Sequence, residues 1–156
     1  MKKSFERAYN WLVEESGERS VELVSNLKLA FVKTFMVEQQ ARYFHWNVVG
    51  NDFVQLHDFF GEEYDNYSGQ IDVIAEHIRQ QDFAMVPKIE KFDFSVDGDG
   101  KQMVEQFEKT VTDALVAWGI VDKVANDVKN PQSIDLSGEM TRMLSKTKWK
   151  IGAILS

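Results

Sequence analysis

The apolar residues of the chain recur every three or four positions through four long stretches, the rhythm of amphipathic helices and not of strands. The clearest stretch spans residues 53 to about 80, where Phe53, Leu56, Phe60, Tyr64, Tyr67, Ile71, Ile74 and Ile78 share one stripe. Before it, Val24, Leu27, Phe31 and Phe35 mark a helix from about residue 20 to 48, with Val21, Leu23 and Val32 widening its inner face. A third helix is expected over about 101–128, on Val104, Phe107, Val111, Ala114, Trp118, Val121 and Val124. A fourth reaches residue 155 on Leu136, Met140, Leu144, Ile151 and Leu155.

The punctuation between these stretches sets the topology. Gly17 is read as a break that separates the first helix, capped by Ser20, from a short amphipathic segment carrying Phe5, Ala8, Trp11 and Leu12. Val49-Gly50-Asn51-Asp52 is a tight loop in which Gly50 supplies a positive φ and Asp52 with Gln55 forms a capping box. Asn130-Pro131 stops the third helix, Ser133 caps the fourth, and Asp135 favours that N-terminus through the helix dipole. Residues 82–101 form an irregular crossing, long enough to run the length of a bundle and to hold a short helix of its own. It ends in Val96-Asp97-Gly98-Asp99-Gly100. Aligned on a calcium loop, that turn puts Ser95 first and Gln106 last, where carboxylates are required, so it reads as a helix entry. The expected fold is all-α: a four-helix bundle with a long crossover between helices 2 and 3. One domain is expected over 1–156, with 1–18 as an N-terminal extension.

Composition narrows the chemistry. At 156 residues the chain can bury a substantial core. It has no cysteine, which removes disulfides and thiolate metal sites. A net charge of −7 argues against whole-surface attraction to nucleic acid and suits the attraction of cations. No apolar run approaches membrane length and the first residues hold no leader-like apolar core, so a soluble cytoplasmic protein without membrane contact is expected.

A second stripe runs along helix 2, made only of polar and very small residues: His57, Gly61, Asp65, Gly69, Asp72 and Glu76. His45 and His57 are equidistant from Asn51, so an antiparallel helical hairpin sets them opposite one another. Asp72 and Glu76, at i and i+4, share a helical face and can grip one cation. Yet Asp72 lies fifteen residues beyond His57, roughly 22 Å along a helix, which no single metal centre spans. Either the two pairs are unrelated, or a second copy of the chain brings its acids to the first copy's histidines. A twofold axis near Asp65 achieves the second arrangement, and Gly61 and Gly69, symmetric about that point, would let the helices approach. Taken singly, each residue has a plainer role: a hydrogen-bonded histidine near a helix end, a solvated acidic face, a packed Trp46. Together they point to a shared metal site. Histidine and carboxylate donors without cysteine suit iron, zinc or manganese, and redox use favours iron. His77 falls one residue off the stripe and is expected at the surface or behind the ligands. No histidine has a Glu three residues before it, so the Glu-x-x-His pattern of bundles that hold two irons within one subunit is absent.

The segment His45-Trp46-Asn47-Val48-x-Gly50-x-x-Phe53-x-x-x-His57, followed by Asp72-x-x-x-Glu76, resembles the ferroxidase segment of the Dps (DNA protection during starvation) family of mini-ferritins. Val124-Ala125-Asn126-Asp127-Val128 and the stretch from Asp135 through Trp149 to Leu155 add weaker likeness. The resemblance implies a hollow dodecamer with iron held at twofold interfaces by His45 and His57 of one subunit and Asp72 and Glu76 of its neighbour. It implies oxidation of Fe2+, preferably by hydrogen peroxide, followed by mineral storage, with Trp46 beside the site. Asp135 resembles an acidic pore residue, and Glu139 lies one turn on. Where the family usually has an Asp four residues after the second histidine, this chain has Gly61; Asp58, Glu62 and Asp65 are candidate substitutes out of helical phase. The family's DNA-binding tails are Lys-rich, and residues 1–7 are a poor version of one. The alternative to a ferroxidase is therefore a shell with weakened or lost oxidase activity, serving as a structural, metal-binding or DNA-associated protein.

Overall fold

The computed structural model describes residues 2–89 and 99–156, with the side chains of 2–16, 18 and 19 excepted. Its elements are four α-helices in the order α1 (Lys2–Asn47), α2 (Phe53–Gln80), α3 (Gly100–Asp127) and α4 (Pro131–Leu155). No strand occurs among the described residues. The all-α bundle and its long crossover are as the periodicity predicts; residues 90–98, within the crossing that is long enough to hold a short helix, lie outside the described residues.

Helices α1 and α2 form one hairpin, α3 and α4 a second, and α1 packs on α3. Contacts between α2 and α4 are few. The core between the hairpins is apolar: every residue assigned to the inner face of α3 is buried, with Phe107 meeting Phe59 and Phe60 edge-on at ring-centroid distances of 6.1 and 5.6 Å. The fully buried Trp118 donates its indole N–H to Thr34 Oγ1 at 2.9 Å. That bond meets the polar requirement of a core tryptophan.

Several boundaries differ from the sequence expectation, each for a local reason. Gly17 does not break α1, which runs on from Lys2. An interior glycine costs about 1 kcal/mol against alanine and is tolerated within a long helix. Gly50 takes the expected positive φ of 100°, but Asp52 makes no side-chain cap bond. The Phe53 N–H is instead met by the Gly50 carbonyl at 3.2 Å, so the loop backbone serves the orphan donor. Asp99 caps α3 with a complete capping box through Gln102, as a helix-entry turn requires. The fourth helix is capped by Asn130, not Ser133: the Asn130 side chain accepts from the Ser133 N–H, and Pro131 takes the N1 position where no amide hydrogen is missed. On the inner faces, Val21 and Phe53 are exposed, while Leu23 is buried.

Candidate metal centre

The α1–α2 hairpin brings His45 and His57 together. Their rings stack with centroids 3.7 Å apart and planes 21° from parallel. Each Nδ1 lies against the other residue's backbone carbonyl, at 2.8 Å for His45 to His57 O and 2.9 Å for His57 to His45 O. A carbonyl can only accept, so both Nδ1 atoms must carry the proton. In the neutral rings the lone pair is therefore at Nε2, the tautomer that a metal-ligating histidine needs, and the carbonyls fix both rings before any ion arrives. Phe53 stacks on His57 at 4.9 Å, and Tyr64 meets His45 edge-on at 5.2 Å.

This assembly is braced from α1. Glu38, 3 % exposed, accepts from Arg42 Nε at 2.9 Å, and the Arg42 guanidinium lies 4.4 Å from the Tyr64 ring centroid. Glu38, Arg42 and His45 stand at i, i+4 and i+7 on α1, and Tyr64 of α2 links the Arg42 guanidinium to the His45 ring.

The other expected ligands stand apart. Asp72 and Glu76 are exposed on α2, and neither makes a hydrogen bond or ion pair among the described residues. Among those residues, no group of three or more His, Cys, Asp or Glu side chains converges on one point within the chain. Trp46 is 66 % exposed next to His45. Asp58 and Asp65 are exposed, whereas Glu62 is engaged by Lys150 of α4 at 3.2 Å. Asp135 and Glu139 are exposed on the first turns of α4.

Of the two places expected for His77, the surface is ruled out: it is buried, with its Nε2 2.8 Å from Ser133 Oγ. Burial holds its pKa below the ordinary histidine value. Its partner Ser133, in the first turn of α4, is itself buried.

Sequence reasoning also missed a buried polar cluster between α2 and α4. Glu63, 2 % exposed, accepts from Lys150 Nζ at 2.8 Å and from the Thr147 hydroxyl, which in turn lies 2.7 Å from Tyr67 OH. A cavity of about 120 Å³ adjoins these groups. Burial works against the Lys150 charge, but the Glu63 and Glu62 carboxylates outweigh it and raise its pKa. Burial pushes the Tyr67 phenol up well beyond its ordinary value. A signal was present: Glu63 falls in the apolar stripe itself, between Phe60 and Tyr67.

Residues 26–156 match the ferritin-like domain family. The chain belongs to the ferritin-like family. Within it, this ferritin-like chain is similar to the DNA protection during starvation protein of Brevibacillus brevis, at 27% identity over 119 residues that cover 72% of this chain and 80% of that protein. Its fold is shared with Dps from Thermosynechococcus elongatus, with a TM-score of 0.84 at 18% identity, over 91% of this chain and 95% of that one. It is also shared with the DPS protein of Vibrio cholerae O1, described as a member of a broad superfamily of ferritin-like diiron-carboxylate proteins. There the TM-score is 0.80 at 20% identity, over 89% of this chain and 92% of that one. The resemblance to Dps proteins that residues 45–76 suggest is thus shared by both comparisons. No helix among the described residues is long and apolar enough to cross a membrane.

Proposed function

We propose that this ferritin-like protein takes Fe2+ as substrate at sites shared between two copies of the chain, oxidises it and stores the ferric product in a shell. One observation carries the proposal. Two histidines are preset in the ligating tautomer by reciprocal carbonyl bonds, while the described residues supply no third donor to them and leave Asp72 and Glu76 exposed and unpaired. A dyad at Asp65 completes the set. His57 lies eight residues before Asp65, and Val73, between the two acids, lies eight after it. That dyad also covers apolar surface: Val54 and Phe53 at one end of α2 and Val73 at the other are exposed in the single chain. The donor set of two imidazoles and two carboxylates fits Fe2+.

In this arrangement the carboxylates neutralise the charge of the incoming ion and favour the ferric product, which is the harder cation. The histidines complete the coordination from a rigid hairpin. Two ferrous ions give one electron each to hydrogen peroxide, which takes up two protons and leaves as two waters. Removing both reagents together limits hydroxyl radical formation. The shell is a homo-oligomer, by family likeness a dodecamer, with Asp135 and Glu139 at its acidic entry and Trp46 beside the oxidation site.

The test adds Fe2+ anaerobically, then hydrogen peroxide, and follows ferric absorbance. Glu76→Ala is expected to slow the reaction by about tenfold or more, the scale on which altered ligand sets lose metal affinity or activity. Equal slow rates in both proteins would favour the second reading, a shell with a weakened oxidase, to which Gly61 gives its support. A gel shift at low and moderate salt decides whether that shell associates with DNA.

A further inference from the structure

We infer that Glu38 is a positioning residue for the candidate metal centre: it holds the Arg42 guanidinium on the Tyr64 ring and cancels its charge beside His45. A free cation at residue 42 would be out of place next to a half-site that must receive a divalent ion. Two neutral imidazoles bring no charge to offset it, and no carboxylate of the described residues joins them within one chain. The guanidinium lies 4.4 Å from the Tyr64 ring centroid, and that centroid lies 5.2 Å from the His45 ring. Its charge is thus within about 10 Å of the imidazole, near enough to repel a divalent cation where the surroundings are less polar than water. The local structure contains that charge. Glu38 is almost fully buried, and its Oε1 accepts from Arg42 Nε at 2.9 Å and also from Arg42 Nη2. Ser68 closes the pair from α2: its Oγ accepts from the same Nη2 at 3.3 Å and donates to Glu38 Oε1 at 3.4 Å. Because the Arg42 side chain is 31 % exposed, a guanidinium without Glu38 would keep only one long hydroxyl contact and the ring face against a flexible stem and solvent.

The consequence for metal binding rests on the iron reading above, whereas the hold on Arg42 does not. The test titrates the full chain, in its assembled form, with Co2+ at low and high salt. It compares wild type, Glu38→Gln, Arg42→Met, the double variant Glu38→Gln with Arg42→Met, and His45→Ala, and adds a metal-free crystal structure of Glu38→Gln. In that structure the guanidinium is expected off the Tyr64 ring, and Glu38→Gln should bind Co2+ about tenfold more weakly than wild type at low salt. The loss should shrink at 1 M salt, where the screening length falls to about 3 Å, and should disappear in the double variant, which carries neither charge. Arg42→Met should bind Co2+ at least as tightly as wild type, and it decides the matter if Glu38→Gln does not assemble. Wild-type affinity in Glu38→Gln would overturn the inference, as would a guanidinium that stays on the ring. A loss that is equal at both salts and persists in the double variant would mean a change of shape and not of charge, and would overturn it too. So would weaker binding by Arg42→Met. If wild type binds Co2+ no better than His45→Ala, the iron reading fails, and the crystal structure still decides whether Glu38 holds Arg42.

Discussion

Replacing Lys150 with methionine removes the cation that serves the most buried carboxylate of α2. Glu63 is 2 % exposed and keeps only the Thr147 hydroxyl as a partner in the variant. Breaking a buried ion pair from one side costs roughly 3–5 kcal/mol, because a desolvated charge is left without its counterion. Lys150 is itself 23 % exposed and the adjoining cavity can admit water, so the lower end, about 3 kcal/mol, is expected. For a domain of this size that loss lowers Tm by about 6–12 °C. The assay is thermal unfolding at one fixed protein concentration, since association shifts apparent stability. The double variant Glu63→Met with Lys150→Met should recover most of the loss, because apolar replacement of both partners is often neutral. A single-variant cost below about 1 kcal/mol would place the pair with ordinary surface salt bridges and refute the reasoning. So would a double variant less stable than the single one. The same cluster sets an alkaline limit. Lys150 and Tyr67 both have folded pKa values raised above their ordinary 10.5 and 10.0, so their stability is fully present below about pH 10 and is lost as pH rises through the folded values. Since α2 touches α4 at few other points, loosening this cluster should also reduce the fit of α2 against a neighbouring copy.

His77 gives the opposite pH dependence. Its folded pKa is lowered by burial, so its contribution is present above the unfolded value of about 6.5 and is lost as pH falls through the folded value. Urea midpoints measured between pH 7.5 and 5 should fall in wild type and flatten in His77→Gln; identical slopes would contradict the assignment. Thr34→Val should destabilise by about 1–3 kcal/mol, because the buried Trp118 N–H loses its acceptor while side-chain volume is conserved. A neutral Thr34→Val in chemical denaturation would mean that the indole finds another partner.

The helices were legible because their apolar period is long and uninterrupted: α2 spans the very residues that its stripe predicts, and α3 buries each expected residue. The histidine pairing was legible too, because symmetric spacing about a tight turn leaves a helical hairpin one register. Helix ends were harder. Asn130 and Ser133 are equally good capping residues by type, and the choice between them depends on Pro131 filling N1 and on Ser133 being drawn inward to His77. Buried polar residues were the least visible. Glu63 and Glu38 sit within apolar stripes and look like interruptions until packing brings Lys150 to the first and Arg42, one helical turn on, reaches back to the second.

The central claim is that one copy of the chain supplies imidazoles and another supplies acids, and mixing tests it directly. A variant with His45→Ala and His57→Ala keeps its acids; a second with Asp72→Ala and Glu76→Ala keeps its histidines. Each alone should be nearly inactive in peroxide-dependent Fe2+ oxidation. Unfolded together in equal amounts and reassembled, half of the twofold pairs are mixed, and each mixed pair holds one intact site of two. Activity should return to about a quarter of wild type. A mixture as inactive as its components would contradict the shared site, and so would either variant alone oxidising iron at the wild-type rate.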